Sequence, residues 1–213
     1  TEPSAGTDAG GITSTAVRDG DFYILNGEKS GISVATCGDA FLIFAKTDLA
    51  QGNRGISAFL IPSNFDGLST KGYEDMGNIP TGRGSLYFDR VEIPKENLIG
   101  EENKGFYQVM NAFDLSRLLL GLQCLGAASQ TLDETIEHVK TRQAFGQPLG
   151  KYQGVSFPIV EHYTQIQLVR WLCYRGLWMR DQGMTHTTEA AMSKWLGPKV
   201  AQEAIHECLL LNG

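Results

Sequence analysis

The sequence is poor in the residues that would mark a metal, redox or nucleic-acid protein. Its four cysteines, Cys37, Cys124, Cys173 and Cys208, lie far apart and form no C-x-x-C pair, which argues against zinc knuckles and dithiol redox motifs. Reduced thiols in a cytoplasmic protein, or a mitochondrial-matrix one in a eukaryote, are the simplest reading. His138, His162, His186 and His206 show neither H-x-x-x-H nor H-E-x-x-H spacing, so no metal is expected. A formal net charge of -6 lacks the basic excess that phosphate neutralisation requires, and nucleic acid is not an expected partner. A local cationic pocket for a phosphorylated small molecule stays open. No apolar run approaches the roughly 18 residues of a membrane span, and no signal peptide is visible. The chain lacks an initiator Met and a terminus signal, so it reads as cut at both ends.

What is present is ordinary for a globular protein: 213 residues, 42% hydrophobic and 20% charged, enough for one or two domains with a real core. The texture changes part-way. Up to about residue 96 the chain reads as short strands, Thr13 to Val17, Phe22 to Leu25, Ala40 to Lys46, Ser57 to Ile61 and Ser85 to Ile93. Arg18-Asp19-Gly20-Asp21 supplies a hairpin signal and Asn26-Gly27 a second turn. Strands punctuated this way predict a small barrel or sandwich.

Pro94 through Gly100 ends the strand region, and from Gly105 onward the pattern turns helical. Leu118, Leu122, Leu125, Leu132, Ile136 and Val139 recur at three-, four- and seven-residue steps along one stripe, after a shorter helical piece around Phe106 to Met110. Phe145-Gly146-Gln147-Pro148 breaks the pattern. A second helix is expected from Tyr152 to Gln182, with Pro158 tolerated near its first turns. A third starts near Thr187 or Thr188, either of which could cap it. These segments predict an antiparallel helical bundle, with Trp171, Trp178 and Trp195 in core or interface packing.

The opening run, Thr1-Glu2-Pro3-Ser4-Ala5-Gly6-Thr7-Asp8, combines a carboxylate, a direction-fixing proline, a glycine that admits close backbone approach and two hydroxyls that donate or accept. Such a loop suits a polar ring edge or a thioester carbonyl. It also suits an ordinary turn.

Four stretches in register carry a resemblance: that run, then Leu25-Asn26-Gly27-Glu28-Lys29, then Val91-Glu92-Ile93-Pro94 through Asn97-Leu98-Ile99-Gly100, and finally Arg142-Gln143-Ala144-Phe145-Gly146-Gln147-Pro148 followed by Gln153. Together they resemble the acyl-CoA dehydrogenase family of FAD-dependent flavoproteins over nearly the whole chain. The resemblance implies a multidomain α and β protein: a middle β-barrel domain over residues 1–96, a carboxy-terminal helical-bundle domain over 97–213, and an amino-terminal helical domain missing from this chain. It implies FAD as cofactor, an acyl-CoA substrate, an electron-transfer flavoprotein as acceptor, and a homo-oligomer, dimer or tetramer. The implied reaction takes an α-proton with a carboxylate base and passes the β-hydride to flavin, giving an α,β-unsaturated thioester.

By that resemblance Thr1, Gly6 and Thr7 serve the flavin and the thioester end of the substrate, Thr7 standing where the family usually has Ser. Gly31-Ile32-Ser33 matches a flavin-facing segment that usually reads aromatic, Ile, Thr. Ser33 keeps the hydroxyl; Gly31 loses the aromatic, which either opens room for a bulkier, branched or cyclic acyl group or leaves a gap that another aromatic fills. Asp114 and Arg117 match the substrate's CoA arm, although an ion pair between them is the structural alternative. Arg142 is implied at the FAD pyrophosphate, Phe145 packing on the cofactor and Gln153 near its adenine end, across a dimer interface. An Arg closing a helix is otherwise an ordinary solvated cation. Ser116 stands where some members place the catalytic glutamate, so the base is expected outside this chain. Leu209 and Asn212 depart from a Gln and a Gly of the family, which leaves cofactor roles at that end doubtful. An oxidase of the same fold and a non-catalytic assembly protein are the alternatives.

Overall fold

The computed structural model describes residues 1–77 and 79–213. The chain divides into two compact units, Thr1–Met110 and Asn111–Gly213.

In the first unit, β1 (Thr15–Asp19), β2 (Phe22–Ile32), β3 (Ala40–Lys46), β4 (Ile56–Pro62), β5 (Leu68–Gly72) and β6 (Gly84–Pro94) form one sheet in the order β4-β3-β1-β2-β6-β5. Neighbours are antiparallel except β1 and β3. Alternation sets the inner face, with Phe41, Ile43 and Ala45 of β3 buried between exposed or half-buried neighbours. The sheet is curled. The Tyr23 and Phe59 rings meet edge-on at 4.9 Å, although two strands separate β2 from β4, which on a flat sheet would hold them about 14 Å apart. Inner residues of five strands thus share one core with Phe65, Leu68 and Leu98 against it.

Asn26-Gly27 is not the turn its sequence suggests. It lies inside β2, where Leu25 pairs with Val91 and Gly27 with Phe88, so Asp89 and Arg90 bulge opposite Asn26. The Asn26 side chain accepts the Arg90 N–H at 2.9 Å, Arg90 takes the left-handed φ of 52°, and Gly27 lets Ser14 approach to within 2.6 Å of where a Cβ would stand. The bulge explains why the buried positions of β6 change parity from Leu86 and Phe88 to Val91 and Ile93.

The second unit is built from helices. Helix α1, most of which belongs to this unit, runs unbroken over Gly105–Thr141, so the separate short piece expected at Phe106 to Met110 is simply its first turns; no Gly or Pro interrupts it before Gly121. Helix α2 spans Gln153–Asp181 and tolerates Pro158 near its start, and α3 spans Thr187–Asn212. Between α1 and α2 a two-residue ladder, β7 (Gln143–Ala144) with β8 (Gln147–Pro148), makes a tight hairpin. Leu125, Leu132, Ile166, Val169, Val200 and Ala204 meet in one apolar core. Close crossing depends on glycine: a Cβ on Gly197 would stand 2.6 Å from the Gly121 Cα. Neither expected threonine caps α3. His186 occupies the cap position, its ring nitrogen bonded to the Met184 carbonyl rather than to the helix, and the Thr187 hydroxyl donates to Asp114 at 2.6 Å.

Trp171, Trp178 and Trp195 do not pack in the core of this chain; Trp171 is 69% exposed and the other two are comparable.

Candidate functional site

In the first unit the opening run folds back on itself and is fastened at two points. Glu2 and Ala5 exchange backbone hydrogen bonds at 2.9 and 3.1 Å around Pro3-Ser4. Ala5 then packs with Ile12 and Ile56. The second fastening is polar: the Glu2 carboxylate, almost fully buried, accepts from the Thr13 N–H (2.5 Å) and hydroxyl (2.8 Å), from the Ser14 N–H (3.1 Å) and hydroxyl (2.6 Å), and from the Lys29 ammonium at 2.6 Å. Burial alone would raise the Glu2 pKa; the hydrogen bonds from Lys29, Ser14 and Thr13 outweigh it and hold the carboxyl at about 2, below the ordinary 4.5. Lys29 is pulled downward by its own burial, against the opposing pull of Glu2. A carboxylate with five donors satisfies the requirement that a buried charge be paired and hydrogen-bonded.

This cluster joins the opening loop to β2, the strand that ends at Ile32, directly before Ser33. Thr1 strengthens the join: its carbonyl accepts the Ser30 N–H at 3.0 Å, and its hydroxyl donates to the Ser30 carbonyl. The Thr1 hydroxyl is therefore engaged by backbone. Thr7 and Ser33 differ. Both are exposed or half-exposed, and neither hydroxyl bonds another described residue. Gly6 has no described residue within 4 Å of where a Cβ would stand. Two unengaged hydroxyls and an open glycine on one fastened scaffold suit a ligand with a polar, hydrogen-bonding edge.

Glu2 and Lys29 were present in the sequence as parts of motifs, without a role. The signal was the inward alternation of β2, where Tyr23, Leu25 and Lys29 are all buried; an inward lysine demands a carboxylate.

In the second unit, Arg142 directly follows α1 and its N–H closes on the His138 carbonyl at 2.9 Å. Its guanidinium is exposed and pairs with no carboxylate among the described residues. Phe145 tops the hairpin at φ 51° and is 98% exposed, while the Tyr152 hydroxyl braces the loop by donating to the Ala144 carbonyl at 2.8 Å. Gln153 opens α2 with its side chain in solvent. The hairpin brings Arg142, Phe145 and Gln153 to one end of this unit. Asp114 and Arg117 are held elsewhere: Arg117 donates to Asp114 at 2.8 Å, and Asp114 also accepts from Thr187. The ion pair anticipated for these two residues is thus formed. The Ser116 hydroxyl turns back to the Phe113 carbonyl at 3.1 Å. Asn212 stays helical and donates to Thr135 (2.9 Å) and the Cys208 carbonyl (2.8 Å), a structural assignment.

No cluster of three or more His, Cys, Asp or Glu able to hold a metal occurs among the described residues, and none of the helices described is long and apolar enough to cross a membrane.

Residues 1–91 match the acyl-CoA dehydrogenase middle domain, and residues 103–213 match the acyl-CoA dehydrogenase C-terminal domain. The chain belongs to the acyl-CoA dehydrogenase family. Its similarity to caffeyl-CoA reductase-Etf complex subunit CarC of Acetobacterium woodii is 37% identity over all of this chain and 56% of that protein. Butyryl-CoA dehydrogenase of Megasphaera elsdenii superposes with a TM-score of 0.96 at 36% identity, over all of this chain and 56% of that one. The FAD complex of PigA superposes at 0.94 with 31% identity, again over the whole chain and 56% of its counterpart. The chain spans about half the length of the relatives it matches, and its fold is that of the family's middle sheet followed by its helical domain.

Proposed function

We propose that this chain, within the complete protein that carries it, binds FAD and an acyl-CoA and desaturates the acyl group. The carrying observation is the pair of unengaged hydroxyls, Thr7 and Ser33, on a loop and strand locked together by the buried Glu2–Lys29 pair. When bound, FAD supplies the two-electron oxidant for the β-carbon while a base takes the α-proton. The chain's own residues position. Ser33 and Ile32 face the ring edge, Gly6 admits close backbone approach, and Thr7 donates to the ring or to the thioester carbonyl, where a hydrogen bond acidifies the α-proton. Thr1 contributes through its backbone, since its hydroxyl is already used. Ser116 is no base, and the carboxylate lies outside this chain.

Residues 1–96 act in this reading as the middle domain and 97–213 as the helical one. Arg142, Phe145 and Gln153 serve the FAD of a neighbouring copy; their outward presentation supports that assignment, as does an exposed apolar stripe on α2 made by Phe157, Val160, Leu168, Trp171 and Trp178, which suits a homo-oligomeric contact. Asp114 and Arg117 face the CoA arm as a pre-formed pair. The electron acceptor is an electron-transfer flavoprotein, supported by the relative named as a subunit of an Etf complex. The acyl group is bulky or cyclic, supported by that relative being named for caffeyl-CoA. Reduced cysteines suit the cytoplasm, or a mitochondrial matrix.

The test is anaerobic mixing of the FAD-loaded complete protein with linear, branched and aryl acyl-CoAs. Bleaching of the flavin without peroxide formation on admitting oxygen is the expected result. Peroxide would replace the reading by an oxidase, and tight acyl-CoA binding without bleaching by an assembly protein.

A further inference from the structure

Three strands end together beside Ser33. Ile32 of β2 is in register with Gly84 of β6, and Gly84 with Gly72 of β5, so the next residues, Ser33, Arg83 and Tyr73, fall in one row across the end of the sheet. The Tyr73 N–H donates to the Arg83 carbonyl at 2.9 Å and closes the row. Gly31 turns here at φ 66° and donates its N–H to the Tyr73 hydroxyl at 3.0 Å; that hydroxyl also shares a hydrogen bond with the Ser85 hydroxyl at 2.8 Å. An aromatic from a distant segment is thereby tethered to the strand at the residue that lacks a side chain.

Arg83 is held from two sides. Its Nη1 donates to both Asp75 carboxylate oxygens at 3.2 Å, and its guanidinium lies 5.7 Å from the centre of the Tyr73 ring. The other terminal nitrogen, Nη2, bonds no described residue and stands 3.7 Å from where a Cβ of Gly31 would be. Among the described residues the space at Gly31 is otherwise bordered only by the Thr1 hydroxyl, at 3.5 Å. A half-exposed ion pair such as Arg83–Asp75 contributes little to stability, so the arrangement is not explained by holding the fold. A planar fork set over a ring and pinned at one nitrogen has its remaining donors restricted in direction.

We propose that Arg83 is a further cofactor-side residue: its Nη2 donates to an acceptor on the edge of the flavin that lies against Ser33, and Tyr73 is the positioning residue for both Arg83 and the Gly31 backbone. This rests on the reading of the Ile32–Ser33 edge as flavin-facing. The experiment uses the complete protein stripped of FAD and titrated with FAD by flavin fluorescence, with absorption spectra of each loaded variant. Arg83→Met should weaken FAD binding about 10- to 100-fold, the scale of a charge-assisted bond, and displace the flavin absorption bands. Arg83→Lys should recover only part of the loss, and Tyr73→Phe should weaken binding about fivefold and displace the flavin absorption bands. Asp75→Asn, which loosens the pin on Nη1 but leaves the Nη2 donor in place, should weaken binding clearly less than Arg83→Met does. If Arg83→Met and Asp75→Asn weaken binding alike, the pair is structural and the inference is overturned. Unchanged affinity and spectrum in Arg83→Met overturn it too, while leaving the flavin reading intact. A parent protein that takes up no FAD overturns that reading and this inference together.

Discussion

The two units treat their candidate ligand groups in opposite ways. In the first, Thr7 and Ser33 sit on backbone fixed from beneath by Glu2, Lys29, Thr13 and Ser14, with almost no solvent at the ion pair. In the second, Arg142, Phe145 and Gln153 crown a hairpin and reach away from the unit that carries them. One arrangement presets a site inside its own unit; the other offers groups to something beyond it. The difference teaches that polar residues hidden below a surface and unpartnered residues displayed above one are both signs of a site, read from opposite directions.

The comparison breaks most forcefully at the buried pair. Lys29→Met leaves an unpaired buried carboxylate and should cost about 3–5 kcal/mol, read as a fall in the denaturant midpoint of the first unit. The same pair predicts an acid limit. Glu2 is held below its ordinary value, so its contribution to stability is complete above about pH 4.5 and drains away as pH falls toward about 2; Glu2→Gln should flatten that limb of a stability-against-pH curve. Next in size is the helical unit. Gly197→Ala places a Cβ against the Gly121 backbone and should cost about 1–3 kcal/mol. Gly176→Ala meets instead the movable end of Leu118, and its thermal midpoint should fall less.

Smaller still, and of opposite sign, is Phe145→Gly. Relief of a left-handed φ at an exposed aromatic should stabilise the unit by about 1 kcal/mol while weakening cofactor retention. Retention equal to the parent's would mean that the hairpin serves no ligand. The smallest stability change is expected for Thr7→Ala and Ser33→Ala, within about 0.5 kcal/mol, with cofactor affinity alone reduced. If either costs as much as Lys29→Met, its hydroxyl belongs to the fold after all.

Much of this was legible in the sequence where local chemistry decides. Pro148 and Gly146 mark the break after α1, and the leucine stripe from Leu118 marks the helix before it. The strand β5 was not legible, because Leu68 is followed by Ser69, Thr70, Lys71 and Gly72, all exposed at a sheet edge where burial imposes no alternation. Asn26-Gly27 misled because a bulge and a turn ask for the same residues. At the site, motif residues could be read, but not what binds them: Glu2 meets Lys29 across 27 positions and Gly31 meets Tyr73 across 42. Only the curl and register of the sheet bring such pairs together.

The buried carboxylate beneath the opening loop also bears on how a ligand arrives. A loop already held by five donors has little conformational entropy left to lose, so a cofactor settling on it meets a finished surface. Its binding heat capacity should then scale with the apolar area covered, without the larger excess that accompanies coupled folding.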